Sequence, residues 1–167
     1  KMLSNGTIIA LSTPQGHGAI GLIRISGPEA ISKTKLFFQP KSKIPINEAP
    51  NKKMIFGDFI INKEVIDEVL ITKFKGPNSY TGEDIIEISC HGSSFILQCI
   101  IEIYIKNGVL PAKPGEFTLR AYLNKKMDLS QAEAVSDIIS SETADSHRLA
   151  MQQMRGGFSK KMASLRK

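Results

Sequence analysis

Residues 76–92 read Gly-Pro-Asn-Ser-Tyr-Thr-Gly-Glu-Asp-Ile-Ile-Glu-Ile-Ser-Cys-His-Gly, a turn followed by a strand and a second turn. The first seven positions are rich in residues that favour turns, because they tolerate positive φ, fix φ or bond their own backbone. From Asp84 the pattern predicts a strand whose side chains alternate between two faces. One face carries Ile86, Ile88 and Cys90, and the other carries Ile85, Glu87 and Ser89. Since burial of an unpartnered charge is costly, Glu87 must either lie at a solvated edge or meet a donor.

Length and composition indicate a soluble globular protein. The chain has 167 residues, of which 41% are hydrophobic and 23% charged, enough for one domain with a core and part of a second. The longest apolar run, 95–105, is too short to span a bilayer, so no membrane association is expected. Cys90 and Cys99 lack the spacing of a metal site, which predicts reduced thiols in a cytoplasmic protein without a bound metal.

The net charge of +6 is confined to the end of the chain. Up to Ser146 the acidic and basic side chains balance, and the excess lies in Arg148, Arg155, Lys160, Lys161, Arg166 and Lys167. Such a run is most simply a solvated helix face, and the alternative is a nucleic-acid-binding surface. Its abrupt end also suggests a piece of a longer protein.

A second charge lies in a predicted strand near the start of the chain. Residues 7–12 and 19–25 are apolar runs joined by a glycine loop, which predicts two neighbouring strands. In the second strand Arg24 alternates with isoleucines. Either it reaches water along its stem, or it pairs with a carboxylate or a ligand oxygen.

The remaining segments predict an α+β protein with a mixed sheet and packed helices up to about residue 120, followed by helix alone. The domains are therefore expected at 1–120 and 121–167. The expected elements are a helix opened by a capping box at 26–29, a loop at 39–53, a hairpin of 54–61 and 65–74, a buried apolar helix at 95–105, a short helix at 116–124, and one long helix from Asp128 towards Gly156.

Motifs for catalysis are missing from the sequence. There is no Gly-x-x-x-x-Gly-Lys-Ser/Thr loop, so the chain is not expected to hydrolyse nucleotides. Cys90 and His91 are adjacent on a strand and face opposite ways, which favours a buried thiol and a turn histidine over a catalytic pair. A third possibility is a pocket of Arg24, Glu87 and a lysine at 125–126, because a carboxylate suits a flat heterocycle with two N–H donors.

Four motifs together resemble the N-terminal part of the tRNA-modification GTPases of the MnmE (TrmE) family. They are the stretch 76–92, Gly-Ala-Ile-Gly-Leu-Ile-Arg-Ile-Ser-Gly at 18–27, Pro-Gly-Glu-Phe-Thr-Leu-Arg-Ala at 114–121, and Leu-Asn at 123–124 followed by Lys-Met-Asp-Leu-Ser-Gln-Ala-Glu-Ala at 126–134. The resemblance implies a fold similar to folate-binding aminomethyltransferase domains, binding of 5-formyl-tetrahydrofolate, and a homodimer. The folate contacts it implies are Arg24, Glu87 and Lys126.

The resemblance also implies a larger protein. In the family a helical domain follows, with an inserted GTPase domain that uses GTP, magnesium and potassium. With a flavoprotein of the MnmG type, the whole protein modifies the wobble uridine of tRNA at carbon 5, using a one-carbon unit from folate.

The GTPase domain and a C-terminal Cys-x-Gly-Lys tail have no counterpart here, so no catalytic residue is expected and Cys90 is not given that cysteine's role. Lys125 departs from the small residue usual in the family. A stand-alone folate-dependent aminomethyltransferase would need a general acid or base, for which the sequence shows no constellation.

Overall fold

The computed structural model describes residues 6–156 of the chain. The chain divides into two compact units, one that ends at Pro114 and one that begins at Gly115. The expected boundary at residue 120 falls later, inside a helix that starts at Glu116. The described residues form a seven-stranded mixed sheet and five helices, so the prediction of an α+β protein that ends in helix alone is confirmed.

The first unit contains the whole sheet. Its elements are β1 (Ile8–Leu11), β2 (Ile20–Ser26), α1 (Ala30–Lys35), β3 (Phe38–Pro40), β4 (Met54–Ile61), β5 (Glu64–Phe74), β6 (Ile85–His91), α2 (Ser94–Lys106) and β7 (Leu110–Pro111). The strand order is β3-β4-β5-β6-β2-β1-β7, with β1 and β7 parallel and all other neighbours antiparallel. The predicted β1–β2 pair is confirmed, and so is the hairpin of β4 and β5, whose turn residues Asn62 and Lys63 both have positive φ.

The core lies between the inner face of the sheet and helices α1 and α2. Alternate residues of the central strands are fully buried there, among them Ile23, Ile71 and Ile88. Tyr104 on α2 is buried as well, and its hydroxyl lies 2.7 Å from that of Thr34 on α1, which satisfies both polar groups. Only one face of α2 is buried, however, and Phe95 is 70% exposed. The expected burial of this apolar helix is therefore confirmed for one face only.

The capping box predicted at residues 26–29 is wrong. Ser26 is the last residue of β2, and its hydroxyl bonds Thr81 and Glu83 instead of a helix terminus. Helix α1 begins only at Ala30, after Glu29, whose side chain makes no capping bond. A short polar side chain takes whichever backbone or side-chain partner the fold brings near, and here the partner came from a distant turn.

The second unit consists of α3 (Glu116–Leu123), α4 (Leu129–Ser140) and α5 (Ala144–Met154). The capping box of Asp128 and Gln131 is confirmed. The single long helix is wrong, because the chain breaks after Ser140 and Thr143 caps a new helix through the backbone of Ser146. Side-chain oxygens that bond nearby backbone favour a helix start over a helix interior. Residues 157–167, which include part of the basic tail, lie outside the described residues.

Helices α4 and α5 are joined by reciprocal side-chain bonds. Gln131 Nε2 donates to the carbonyl oxygen of Met154, and Gln153 Nε2 donates to that of Ser130, each at 2.9 Å. The two bonds hold the pair as an antiparallel hairpin. Among residues 6–156, no helix combines the length and hydropathy required to span a membrane.

The buried lysine Lys73 gives a prediction on pH dependence. Burial lowers its pKa below the ordinary 10.5, with the nearby charge of Lys75 as a further cause. Between the lowered value and about 10.5 the unfolded chain therefore binds a proton at Lys73 that the folded protein does not, so Lys73 contributes a rise in stability with pH. In Lys73→Met this contribution should vanish, and stability should rise less, or fall more, over this range than in the wild type. Urea unfolding of both proteins from neutral pH to about 10.5 measures their free energies of unfolding. A difference between the two free energies that stays constant with pH would contradict the prediction.

Candidate functional site

Arg24 and Glu87 form an ion pair on the outer face of the sheet. They are direct register partners on β2 and β6, in a row that continues to Thr72 on β5. Arg24 donates to Glu87 Oε1 from both Nε, at 2.9 Å, and Nη2, at 2.7 Å. The side chains are 26% and 22% exposed, so the pair is half-buried. Of the two interpretations for Arg24, pairing with a carboxylate is the one observed.

The geometry of this pair leaves one carboxylate oxygen open. Both bonds from Arg24 fall on Oε1, which fills the two lone pairs of that oxygen. No bond to Oε2 is observed among the described residues. Arg24 is thus the donor that the sequence predicted for a buried Glu87. Oε2 of Glu87 can still accept a hydrogen bond from a ligand.

Tyr80 also contacts Arg24, and no pattern in the sequence indicated this contact. The guanidinium carbon lies 5.4 Å from the centre of the Tyr80 ring, a cation–π contact. Tyr80 belongs to the turn of residues 76–84, whose backbone is held by its own side chains: the Gly76 N–H donates to Asp84 at 3.0 Å, and the Ser79 hydroxyl donates to the Glu83 carbonyl. These hydrogen bonds therefore fix the backbone of the turn that carries Tyr80.

A buried polar cluster connects this turn to β2. The Ser26 hydroxyl lies 2.7 Å from both Thr81 Oγ1 and Glu83 Oε2, and the Glu83 N–H donates to Thr81 Oγ1 at 3.2 Å. Ser26 is two residues beyond Arg24 along the same strand. These bonds fix the distance between the turn and the ion pair, and they close this end of the outer face.

Cys90 lies on the opposite, inner face of β6 and is 4% exposed, in agreement with its predicted packing role. Burial raises the pKa of its thiol to about 11, with the Asp67 carboxylate as a further cause.

We expect Cys90 to resist alkylation in the folded protein, because little thiolate forms at neutral pH. Cys99 is half-buried. Iodoacetamide should therefore label one thiol quickly, and Cys99→Ser should abolish that fast phase, whereas fast labelling that persists in Cys99→Ser would contradict the burial of Cys90.

His91 is the last residue of β6, and its ring is paired with a carboxylate on β5. Its side chain is 72% exposed, whereas that of its partner Asp67 is only 7% exposed. Asp67 Oδ1 lies 2.7 Å from His91 Nδ1, and Oδ2 accepts the His91 backbone N–H at 2.8 Å. Asp67 also accepts the Glu68 N–H at 2.9 Å. The sequence could not show this pair, since the two residues are 24 positions apart and meet only through the β5–β6 register.

Lys126 belongs to the second unit, in the turn between α3 and α4. The Lys126 N–H donates to the Ala121 carbonyl at 2.8 Å and the Lys125 N–H to that of Tyr122 at 3.0 Å, the two bonds of a Schellman motif. Lys125 has a φ of 57°, a left-handed conformation that favours glycine at this position. Lys126 is exposed and lines an open cavity of about 520 Å³ with Leu123, Met127 and Gln131.

The described part of the basic segment forms a groove along α5. The groove has a volume of about 470 Å³ and is lined by Ala144, His147, Arg148, Met151, Gln152 and Arg155. Arg148 is paired with Asp145 at 3.1 Å, and both side chains are exposed. The face therefore carries less free positive charge than the sequence suggested.

Comparison with known proteins assigns the chain to a family. Residues 7–126 match the family model described as GTP-binding protein TrmE N-terminus. The chain is 57% identical over 165 residues to the tRNA modification GTPase MnmE of Bacteroides thetaiotaomicron, which covers 98% of this chain and 35% of that protein. It is 53% identical over 165 residues to that of Flavobacterium johnsoniae (99% and 35%), and 50% identical over 160 residues to that of Cytophaga hutchinsonii (96% and 34%).

The chain spans about a third of the length of these relatives. The match begins one residue before β1, contains both partners of the ion pair and ends at Lys126. It therefore includes every candidate contact named from the sequence. The family resemblance drawn from the four motifs is confirmed, and the chain belongs to the family of TrmE N-terminal domains.

Proposed function

We propose that the first unit binds a reduced folate on the outer face of the sheet, with Glu87 as the residue that recognises the pterin. The observation that carries the proposal is the open Oε2 of a half-buried carboxylate whose other oxygen is already held by Arg24. A carboxylate fixed in this way offers a directed acceptor in a partly desolvated place, where a charge-assisted bond is strong. A pterin edge presents adjacent N–H donors that fit such an acceptor.

The ion pair sets the order of events in binding. The first N–H of the ligand bonds Oε2, which is open. A second N–H reaches Oε1 only when Arg24 releases one of its two bonds there, because that oxygen has no further lone pair. The released guanidinium donor then serves a ligand oxygen, while the contact with the Tyr80 ring holds the guanidinium in place. The contact expected at Lys126 stays a prediction from the resemblance.

The names of the relatives support a wider proposal for the whole protein. Proteins named tRNA modification GTPase MnmE contain a region similar to this chain over about 35% of their length. The whole protein is accordingly proposed to be a GTPase that modifies the wobble uridine of tRNA at carbon 5, with a homodimer formed through this domain and a flavoprotein of the MnmG type as partner. GTP, magnesium and potassium belong to the GTPase domain of that larger protein.

One titration tests the folate proposal directly. The 167-residue chain is titrated with 5-formyl-tetrahydrofolate in a calorimeter, and light scattering measures its mass with and without the ligand. Saturable binding at one site per chain, together with the mass of a dimer, supports the proposal. Absence of heat and of any spectral change at high ligand concentration would refute folate binding, and a monomeric mass would refute the homodimer.

Nucleic-acid binding is the second candidate, and the α5 groove is the observation that favours it. The groove brings His147, Arg148 and Arg155 onto one helix face. A phosphate-binding surface of this kind loses affinity steeply as salt rises. An RNA affinity that drops in Arg148→Ala and Arg155→Ala, and that falls with salt, would support this candidate over a solvated helix face.

A further inference from the structure

The connection between β3 and β4, residues 41–53, contains neither helix nor strand. A connection of this length is uncommon in a compact domain, and such loops are usually functional. Its only acidic residue is Glu48, whereas it carries four lysines, namely Lys41, Lys43, Lys52 and Lys53. The loop therefore has a positive net charge at neutral pH, which attracts an anionic partner.

Hydrogen bonds to the sheet hold this loop near both ends and in the middle. The Lys41 N–H donates to the Phe56 carbonyl at 3.0 Å, and the Lys52 N–H donates to the Lys73 carbonyl at 2.8 Å. Between these two bonds, Lys73 Nζ donates to the Asn47 carbonyl at 2.9 Å. A loop that is fixed before binding loses less conformational entropy when a partner arrives, so its surface is prepared for a contact.

A pocket of about 230 Å³ lies between the loop and β4. Its apolar wall is formed by side chains of both elements, namely Ile44, Pro50, Met54 and Phe56. Lys41 and Lys53 also line it. Pockets that enclose a whole drug-sized ligand or cofactor usually measure about 300–1,000 Å³. This pocket is smaller, and its size fits one large side chain of another protein better than a cofactor.

The two lysines at the pocket differ in their partners. Lys41 Nζ lies 2.6 Å from Asp58 Oδ2 and 3.5 Å from Glu68 Oε1, so two carboxylates offset its charge. Lys53 is exposed, and no ion pair of its side chain is observed within residues 6–156. A single carboxylate beside Lys53 would gain a charge partner. A phosphate backbone needs several available cations, and Asp58 and Glu68 would repel it. The pocket therefore favours an acidic peptide over a nucleic acid.

We propose that this pocket docks a segment of a partner protein in which a large apolar side chain lies within two residues of an aspartate or glutamate. The apolar side chain fills the pocket against Ile44 and Met54, and the carboxylate pairs with Lys53. An apolar anchor inside a polar rim is the usual arrangement of an interface hot spot. One anchor buries a small area, so the complex is weak and transient. Thr72 on β5 separates Met54 from Glu87 in the sheet, so docking does not depend on folate binding.

Selection from a peptide library tests the proposal. A display library of random dodecapeptides is selected against the immobilised 167-residue chain, and the enriched peptides are synthesised with a fluorescent label. We expect these peptides to combine a large apolar residue with a nearby aspartate or glutamate. Fluorescence anisotropy then measures their affinity for the wild type and for variants of the chain.

The variants change exposed positions of the loop. Lys53→Gln should weaken the enriched peptides about fivefold, the upper end for a partly exposed ion pair, and Lys53→Arg should bind as the wild type does. Ile44→Ser should weaken them about tenfold, because it removes part of the apolar wall. Lys106→Gln is the matched control, since it removes an exposed lysine from α2, outside the pocket. Circular dichroism verifies that each variant is folded.

Four outcomes would overturn the proposal. They are a selection that enriches no peptide, enriched peptides without acidic residues, an affinity that is unchanged in both Lys53→Gln and Ile44→Ser, and an equal loss in Lys53→Gln and Lys106→Gln. If only Ile44→Ser weakens binding, the carboxylate contact at Lys53 is refuted. A labelled oligouridylate that binds the wild type and loses affinity in Lys53→Gln, when the peptides do not, would assign the pocket to single-stranded RNA instead.

Discussion

Glu87→Gln is expected to weaken the binding of 5-formyl-tetrahydrofolate by about thirtyfold. Loss of one partner of a buried, hydrogen-bonded charge pair costs about 2–5 kcal/mol, and the lower end applies because Glu87 is 22% exposed. Glutamine has nearly the same shape, and its remaining oxygen still accepts from Arg24. The substitution therefore removes the charge and replaces the open acceptor Oε2 with an amide N–H₂, which repels the pterin donors. Calorimetry of the wild type and the variant measures the ratio.

A matched control keeps this result specific. Glu68 lies on the neighbouring strand β5, and its carboxylate is 57% exposed beside Lys41 at 3.5 Å. Glu68→Gln makes the same change in charge and should leave the folate affinity unchanged, since it is not a register neighbour of the ion pair. Equal affinities in Glu87→Gln and Glu68→Gln would remove Glu87 from the site. Glu87→Ala should bind at least as weakly as Glu87→Gln.

The sequence predicted the candidate site to the extent that the site depends on local periodicity. Alternation identified Arg24 and Glu87 as charges on apolar strands, and the structure shows them as one pair. Periodicity gives no register, however, so the pairing itself was one of two alternatives. The partners of His91 and Ser26 were missed for the same reason. Asp67 and Glu83 reach them only after the strands and the turn are in place.

In the fold, too, the elements specified by neighbouring residues were predicted, and those that depend on distant residues were not. The hairpin of β4 and β5 and the cap at Asp128 were predicted, because a short turn and a capping box are specified by residues that are close in sequence. The break at Ser141 was missed, although Thr143 and Ser146 form a capping pair there. A hydroxyl pair is a weaker signal than a serine or threonine followed by glutamate. The order of seven strands, set by long-range pairing, could not be read from any one segment.

The glycine loop that joins β1 and β2 packs closely against the end of β6. A glycine lets another backbone approach closely, because it has no Cβ. In the structure the close approach is between two parts of the protein. The Gly92 N–H donates to the Ala19 carbonyl at 3.1 Å, and the backbone of Gly18 lies directly against Gly92. The loop and the end of β6 are therefore packed backbone to backbone, next to His91.

Gly92→Ala is accordingly expected to destabilise the protein by about 3 kcal/mol. A Cβ on Gly92 would collide with the Gly18 carbonyl oxygen and lie 2.7 Å from its carbon, and neither atom belongs to a side chain that could rotate away. Gly92 does not have a positive φ, so the penalty comes from space alone. Gly18→Ala is the matched control. Its Cβ would meet nothing closer than the Ile20 carbonyl at 3.6 Å, an ordinary contact.

Gly18→Ala should therefore be neutral, or more stable by up to about 1 kcal/mol through the unfolded chain. Urea unfolding of the two variants compares the same chemical change on the two sides of one contact. A loss as large in Gly18→Ala as in Gly92→Ala would mean that the loop needs flexible glycine rather than a close approach. Since 3 kcal/mol is a large fraction of the roughly 5–15 kcal/mol that stabilises a domain, the contact that fixes the end of β6 is also among the most sensitive points of the fold.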